Sequence, residues 1–263
     1  MRTSSRGMIV IAVAAMLAFS ALPAISFATS ATSSAPMIRN DSVSSLNWSG
    51  YAVTGAPGSV TGVQGSWVVP AIQGTCPSTN QYSSHWVGID GYSSSTVEQT
   101  GTDSDCQGGA PTYYAWFEFY PQPSFRISMA IHPGDVMSAQ VSRSGSHFKV
   151  TITDTTTGAS FSKTKVVSSA QASSAEWITE APSSSGGILP LADFGTVQWG
   201  TDYTAVGSTN FATIAGTTGA IGSFGSSVHQ ITMVTSGGAV KASPSSLSSD
   251  GTSFTVTWVS SGP

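Results

Sequence analysis

The sequence predicts an all-β chain folded as a two-sheet antiparallel β-sandwich of jelly-roll or concanavalin-like type. Three observations predict it. Short runs of alternating polar and apolar residues, rich in Thr, Val, Tyr, Trp and Phe, recur along the chain, and such residues suit a pleated, half-buried surface. Clusters of Gly, Pro, Ser and Asp, the turn-forming residues, separate these runs. No stretch keeps an apolar period of 3.6 residues over three turns, so long amphipathic helices are not expected.

In chain order, residues 1–28 read as a cleaved export signal. Arg2 and Arg6 precede an apolar run, and Ser26-Phe27-Ala28 supplies the small residues of a cleavage site. The run is short for a membrane span and is broken by Pro23, so a secreted protein is expected, with no stable membrane association after cleavage. Residues 29–45, rich in Ser, Thr and Ala, read as a flexible leader or short pro-segment. Residues 46–263 are then long enough for one β domain with a substantial core. Within them strands are expected at residues 66–70, 84–90, 113–121, 136–141, 147–153, 160–167 and 253–259. Hairpin turns are expected at residues 142–146 and 156–158.

Composition narrows the function. Charged residues make up 8% of the chain, against ~25% in typical globular proteins. Seven Trp, seven Tyr and eleven Phe set it apart from disordered chains. Acid unfolding proceeds largely by protonating carboxylates that are paired in the native state, so a chain with few of them has little to lose at low pH. Without Arg2 and Arg6, seven basic residues face thirteen acidic ones, a net of −6. That balance argues against nucleic acid as a partner, since phosphate binding needs clustered Lys and Arg. A monomer is the default expectation. Cys76 and Cys106 could pair in an oxidising compartment. No CxxC, HExxH or His pair at ligand spacing is present, so no metal site is expected.

Side chains two apart share a face of a strand. By that rule Tyr114, Trp116, Glu118 and Tyr120 face one way, with Ala115, Phe117 and Phe119 toward the core. Trp86 and Asp90 share a face, as do Gln99 and Asp103, and Glu176 and Glu180. A face so rich in Trp, Tyr and ionisable groups suits the floor of a cleft for an extended polymer. The chain has only four glutamates, Glu98, Glu118, Glu176 and Glu180. A carboxyl walled by aromatics has its pKa raised by desolvation, and can then act as a general acid in mild acid.

Five segments carry a family resemblance. Asn47-Trp48-Ser49-Gly50-Tyr51, Trp86-Val87-Gly88-Ile89-Asp90-Gly91, Gln99-Thr100-Gly101-Thr102-Asp103, YYAWFEFYP at residues 113–121 and AEWITE at residues 175–180 resemble, in order, the signature segments of the glutamic endopeptidases called eqolisins. The resemblance implies a β-sandwich that cleaves proteins or peptides at acidic pH with no metal and no cofactor. It implies Gln99 as the catalytic glutamine, Glu180 as the catalytic glutamate, and Trp48, Trp86, Asp90, Asp103 and Glu118 as residues lining or supporting the cleft. In that chemistry Glu180 takes a proton from the attacking water and later delivers it to the leaving nitrogen, while the Gln99 amide holds the oxyanion. An amide does not titrate, whereas a histidine base is protonated in acid.

Two other readings fit the same residues. A glycoside hydrolase would pair Glu118 with Glu180, at ~5–5.5 Å for a retaining enzyme. A non-catalytic module would hold sugar or peptide on the same aromatic face. Weaker signals are a calcium site at Asp103-Ser104-Asp105, glycosylation at Asn40 and Asn47, the second of which has a place in the cleft as its alternative reading, and a hairpin turn at Gly251-Thr252-Ser253.

Overall fold

The structure, a computed structural model, describes Ile38–Arg39 and residues 44–262. The expected export signal, residues 1–28, most of the leader, and Asn40 lie outside the described residues. Strand pairing begins before Leu46. The backbone of Ile38–Arg39 pairs with Ser44–Ser45, which in turn runs parallel to Val228–Val234.

Two antiparallel sheets make the sandwich. Across the first, the order is Phe125–Arg126, Ala110–Tyr120, Val97–Gln107, Ser84–Ile89, Ser174–Glu180, Trp48–Thr54 and Val228–Val234. Across the second it is Ser160–Val166, His147–Asp154, Val136–Ser144 and Val60–Val68, followed by Thr196–Trp199 and Phe211–Ile214 on successive parts of Val60–Val68. Phe254–Trp258 and Val240–Pro244 then lead back to Val228–Val234. That strand therefore belongs to both sheets and joins them along one edge. The described helical pieces are a single turn, Thr201–Thr204, and the 3₁₀ segment Ile221–Ser227. No described helix is long and apolar enough to cross a membrane.

The observed strands are longer than the sequence pattern suggests. Val136–Ser144 and His147–Asp154 pair down to Ser144 opposite His147, leaving only Gly145 and Ser146 in the turn. Gly145 has φ +60°, as the first position of a two-residue hairpin turn requires. Val97–Gln107 and Ala110–Tyr120 form the longest hairpin, closed by Gly108-Gly109 with φ +61° and +80°. Two positive φ angles in sequence are what glycine permits and other residues resist. Cys76 and Cys106 form a disulfide, Cα to Cα 5.3 Å, which ties the segment after Val60–Val68 to the end of Val97–Gln107.

The core lies between the sheets. Alternation sends Ala175, Trp177 and Thr179 inward from the strand Ser174–Glu180, and Trp177 belongs to the same core cluster as Val53, Val87 and Ala139. The Trp177 indole N–H donates to the Gln64 carbonyl (2.9 Å), and that of Trp67 donates to Thr102 Oγ1 (2.9 Å), so both buried donors are satisfied across the sandwich. Glu98 breaks the apolar pattern. It points inward between Ile89 and Phe119, fully buried, and neither carboxyl oxygen has a hydrogen-bond partner among the described residues. Burial, with a smaller contribution from Asp90, pushes its pKa up to about 9; Arg143 opposes the shift.

This residue makes stability depend on pH. Its folded pKa is raised, so its contribution is fully present below about 4.5 and is lost as pH rises toward 9. Glu98→Gln cannot ionise. Its melting temperature is expected to lie close to the wild type at pH 4 and above it at pH 8, by roughly 2–4 °C per kcal/mol regained. Thermal melts followed by circular dichroism at the two pH values check this; equal melting temperatures at pH 8 would contradict it.

Candidate active site

The outer face of the first sheet carries three parallel rows of side chains. One row is Glu176, Gly88, Gln99 and Glu118. The next is Ile178, Trp86, Gly101 and Trp116. The third is Glu180, Ser84, Asp103 and Tyr114. Trp48 sits beside Glu180 on the neighbouring strand. Gln99, Glu180, Trp48, Trp86, Asp103 and Glu118, picked out from the sequence, thus meet on one face. They come from five strands, three of them consecutive in sequence and the other two, Trp48–Thr54 and Ser174–Glu180, far from these in the chain.

Two glycines shape this face. A Cβ on Gly101 would lie 2.6 Å from the Trp86 Cβ and 2.2 Å from the His85 carbonyl oxygen. A Cβ on Gly88 would lie 2.9 Å from the Trp86 ring and 3.1 Å from the Gln99 Cβ. Only hydrogen at these positions lets the Trp86 indole lie along the sheet. Trp48 meets it edge to face, ring centroids 5.1 Å apart.

Lying down, Trp86 delivers its indole N–H to Glu180 Oε2 (2.8 Å). Asn47 Nδ2 donates to the other oxygen, Oε1 (3.0 Å). The Asn47 carbonyl accepts from Ala181 N (2.8 Å), and the Ser45 hydroxyl donates to Asn47 Oδ1 (3.1 Å), so the amide is held from both sides. Glu180 is 1% exposed. Burial pushes its pKa up to about 8, the Glu118 carboxyl adds to the shift, and the Trp86 donor works against it. Glu176, two rows away, is held well above the carboxylate range by burial.

On the same face Gln99 Nε2 donates to Glu118 Oε2 (2.6 Å). Asp103 accepts from the Trp116 indole (2.5 Å) and the Tyr114 hydroxyl (2.6 Å), and Tyr114 also reaches Asp105 (3.1 Å). Burial raises Asp103 to about 6 despite these donors, and holds Asp105 well above its usual range, with Asp103 as the next cause. Arg126 stacks over Tyr114, 3.6 Å from the ring centroid. Glu180, Glu118, Asp103, Tyr114, Trp116 and Ser84 line a narrow cavity of about 20 Å³, which is room for about one water molecule.

Asp90 stands apart from this group. The strand ends at Ile89, Asp90 turns to φ +73°, and its alternation with Trp86 is lost. Its carboxylate accepts from Ala172 N (2.6 Å), Ser173 N (2.9 Å) and Ser173 Oγ (3.1 Å). It therefore pins the start of Ser174–Glu180, at the opposite end from Glu180. For Asn47 the structure decides between its two readings, glycosylation and a place in the cleft. As a glycosylation acceptor it would be exposed, but it is fully buried with its amide nitrogen on Glu180. The signal for its role was its place immediately before Trp48 in a signature segment. Tyr114 and Trp116 were visible only as members of an aromatic face, not as donors to Asp103. Among the described residues no group of three or more His, Cys, Asp or Glu side chains is placed to hold a metal ion.

Comparison with known proteins bears on the whole domain. Residues 46–258 match the model of the Peptidase A4 family. The chain is 31% identical over 189 residues to aspergillopepsin-2 of Aspergillus niger, a stretch that spans 63% of this chain and 66% of the length of that curated relative. Among solved structures it is similar to scytalido-glutamic peptidase bound to a peptide-based transition-state analogue. That match has TM-score 0.65 and 26% identity, and covers 81% of this chain and 98% of the other. It is also similar to aspergilloglutamic peptidase from Aspergillus niger, with TM-score 0.57, 31% identity and coverage of 68% and 99%.

The Asn47 contact has a measurable consequence. A donor to a carboxylate favours the charged form, so its removal raises the pKa. Asn47→Ala is expected to move the Glu180 titration upward, read from the carboxyl ¹³C shift across pH 5–10; an unchanged titration would mean the amide does not act on the carboxylate.

Proposed function

The chain belongs to the Peptidase A4 family of glutamic peptidases, and we propose that it is a secreted, monomeric acid endopeptidase that cleaves protein or peptide substrates with Gln99 and Glu180. One observation carries this reading. Glu180 is buried, has a neutral donor on each oxygen, and borders a water-sized cavity together with Glu118, the partner of Gln99.

Glu180 keeps its proton throughout the acid range, because burial holds its pKa near 8. As water adds to the scissile carbonyl carbon, one Glu180 oxygen gives its proton to the carbonyl oxygen and the other takes a proton from the water. The gem-diol forms and the carboxylic acid is regenerated. In the second half Glu180 protonates the leaving nitrogen and takes a proton from a diol hydroxyl, and the C–N bond breaks. The same residue is thus acid and base in both halves, which refines the water-first order expected from the sequence. The Gln99 amide donates to the oxygen on which charge develops. Glu118 holds Gln99 in place, and Trp86 and Asn47 hold Glu180. Trp48 and Trp116 wall the site with apolar surface, which strengthens these interactions by excluding water. Removal of residues 1–28 on export accounts for the N-terminal segment.

The test is hydrolysis of an unfolded protein substrate from strongly acidic to neutral pH. Wild-type activity is expected to be highest in acid and to fall as pH rises toward 8 and Glu180 ionises. Gln99→Ala is expected to lower kcat about 10²–10³-fold, the usual loss for an oxyanion donor. Glu180→Gln is expected to lower it at least 10²–10⁴-fold. Full activity in either variant, with the fold intact by circular dichroism, would remove that residue from the mechanism.

A further inference from the structure

Lys241 lies on the strand Val240–Pro244 and is only 2% exposed. An ammonium taken out of water costs several kcal/mol unless an anion or full hydrogen bonding compensates it. Nothing among the described residues does, and the ammonium is left at the cavity that Lys241 lines. Among the described residues the one ion pair is His132 with Asp135, and the Lys241 ammonium has no hydrogen bond. Burial lowers its pKa, with no carboxylate acting on it.

The position is constructed by the last segment of the chain. The Lys241 carbonyl accepts from Val259 N (2.8 Å) and Ser260 N (3.1 Å), which draws residues 259–262 across the lysine stem. A Cβ on Gly262 would lie 2.8 Å from the Lys241 Cε and 3.2 Å from Nζ. Lys241 and Gly262 both line a cavity of about 310 Å³ whose other walls include Leu46, Ile188, Leu189, Pro190 and Val234. It shares no lining residue with the Glu180 cavity. A single cation at the wall of a largely apolar chamber, in the size range of small-ligand sites, complements a monoanion with an apolar body. Beside Lys241, the side-chain donors among the lining residues are the hydroxyls of Thr235 and Ser236, a set that suits the two oxygens of a carboxylate better than the three or more of a phosphate.

We propose that this cavity is a binding site for a carboxylate carried on an apolar chain, the carboxylate pairing with Lys241 and the chain filling the space between Ile188, Leu189 and Val234. Such a group occurs on a free alkanoic acid and at the carboxy terminus of an apolar peptide. The proposal is independent of the catalytic reading, because the site lies outside the Glu180 cavity.

Isothermal titration of the purified protein at pH 6, where carboxylic acids are ionised, tests it with three probes: octanoate, N-acetyl-leucyl-leucine and octanamide. One-to-one binding of either acid is expected, and which acid binds tells the two sources apart. Octanamide is expected to bind about ten- to a hundredfold more weakly, the scale of one charge-assisted hydrogen bond. Lys241→Met is expected to weaken the acid by a similar factor, Lys241→Arg to retain binding, and Glu180→Gln to leave it unchanged. Should Lys241→Met fail to fold, Ile188→Trp, which fills the chamber while keeping the cation, is expected to abolish binding. The proposal is overturned if neither acid binds, if octanamide binds as tightly as octanoate, if Lys241→Met binds as tightly as the wild type, or if Glu180→Gln abolishes binding.

Discussion

Desolvation of carboxyl groups is the constraint on which this structure turns. All seven residues of Ser174–Glu180 are buried, although two of them are glutamates. Raising Glu180 from 4.5 to about 8 corresponds to on the order of 5 kcal/mol in favour of its neutral form. A carboxyl kept neutral by its surroundings carries a transferable proton in acid and still presents two oxygens to neutral donors. The same burial applies to Glu98, Glu176 and the Asp103–Asp105 pair. One physical effect therefore sets both the chemistry of the site and the range of pH in which the fold is most stable.

The sandwich supplies that burial economically. Period-two alternation gives the strand Ser174–Glu180 an inner face for Trp177 and an outer face for Glu176, Ile178 and Glu180. It is flanked on both sides, by Ser84–Ile89 and Trp48–Thr54, so its backbone is satisfied within the sheet and its two glutamates have neighbours on either hand. Gly88 and Gly101 make the hollow in which Trp86 lies flat, and without it the indole N–H could not reach Glu180. The second core cluster, built on Trp48, Trp86, Trp116 and Ile178, is at once packing and active-site wall.

Several residues had functions that local pattern could not distinguish. Asp90 looks like an extension of the Trp86 face, but the chain turns to positive φ there, and the carboxylate becomes a staple for residues 172–173. Asn47 fits an exposed glycosylation pattern, yet it is buried against a residue 133 positions away. Lys241 gives no signal in the sequence at all, because its burial depends on the segment at residues 259–262 and on a wall at residues 188–190. The Gly108-Gly109 turn was legible in principle, as a glycine pair between two alternating runs.

The sequence by itself determined the all-β class, the faces of the strands, and the residue types present at the site. These follow from alternation, turn-forming residues and side-chain chemistry, all of which are local. It also carried the family, through five short segments in order. Only the tertiary structure decided which face is closed to water, which donor meets which carboxyl oxygen, that Cys76 joins Cys106, that Asp90 holds residues 172–173, and that Asn47 lies against Glu180. Those outcomes depend on pairing between strands far apart in sequence and on the desolvation that pairing imposes, neither of which any single segment contains.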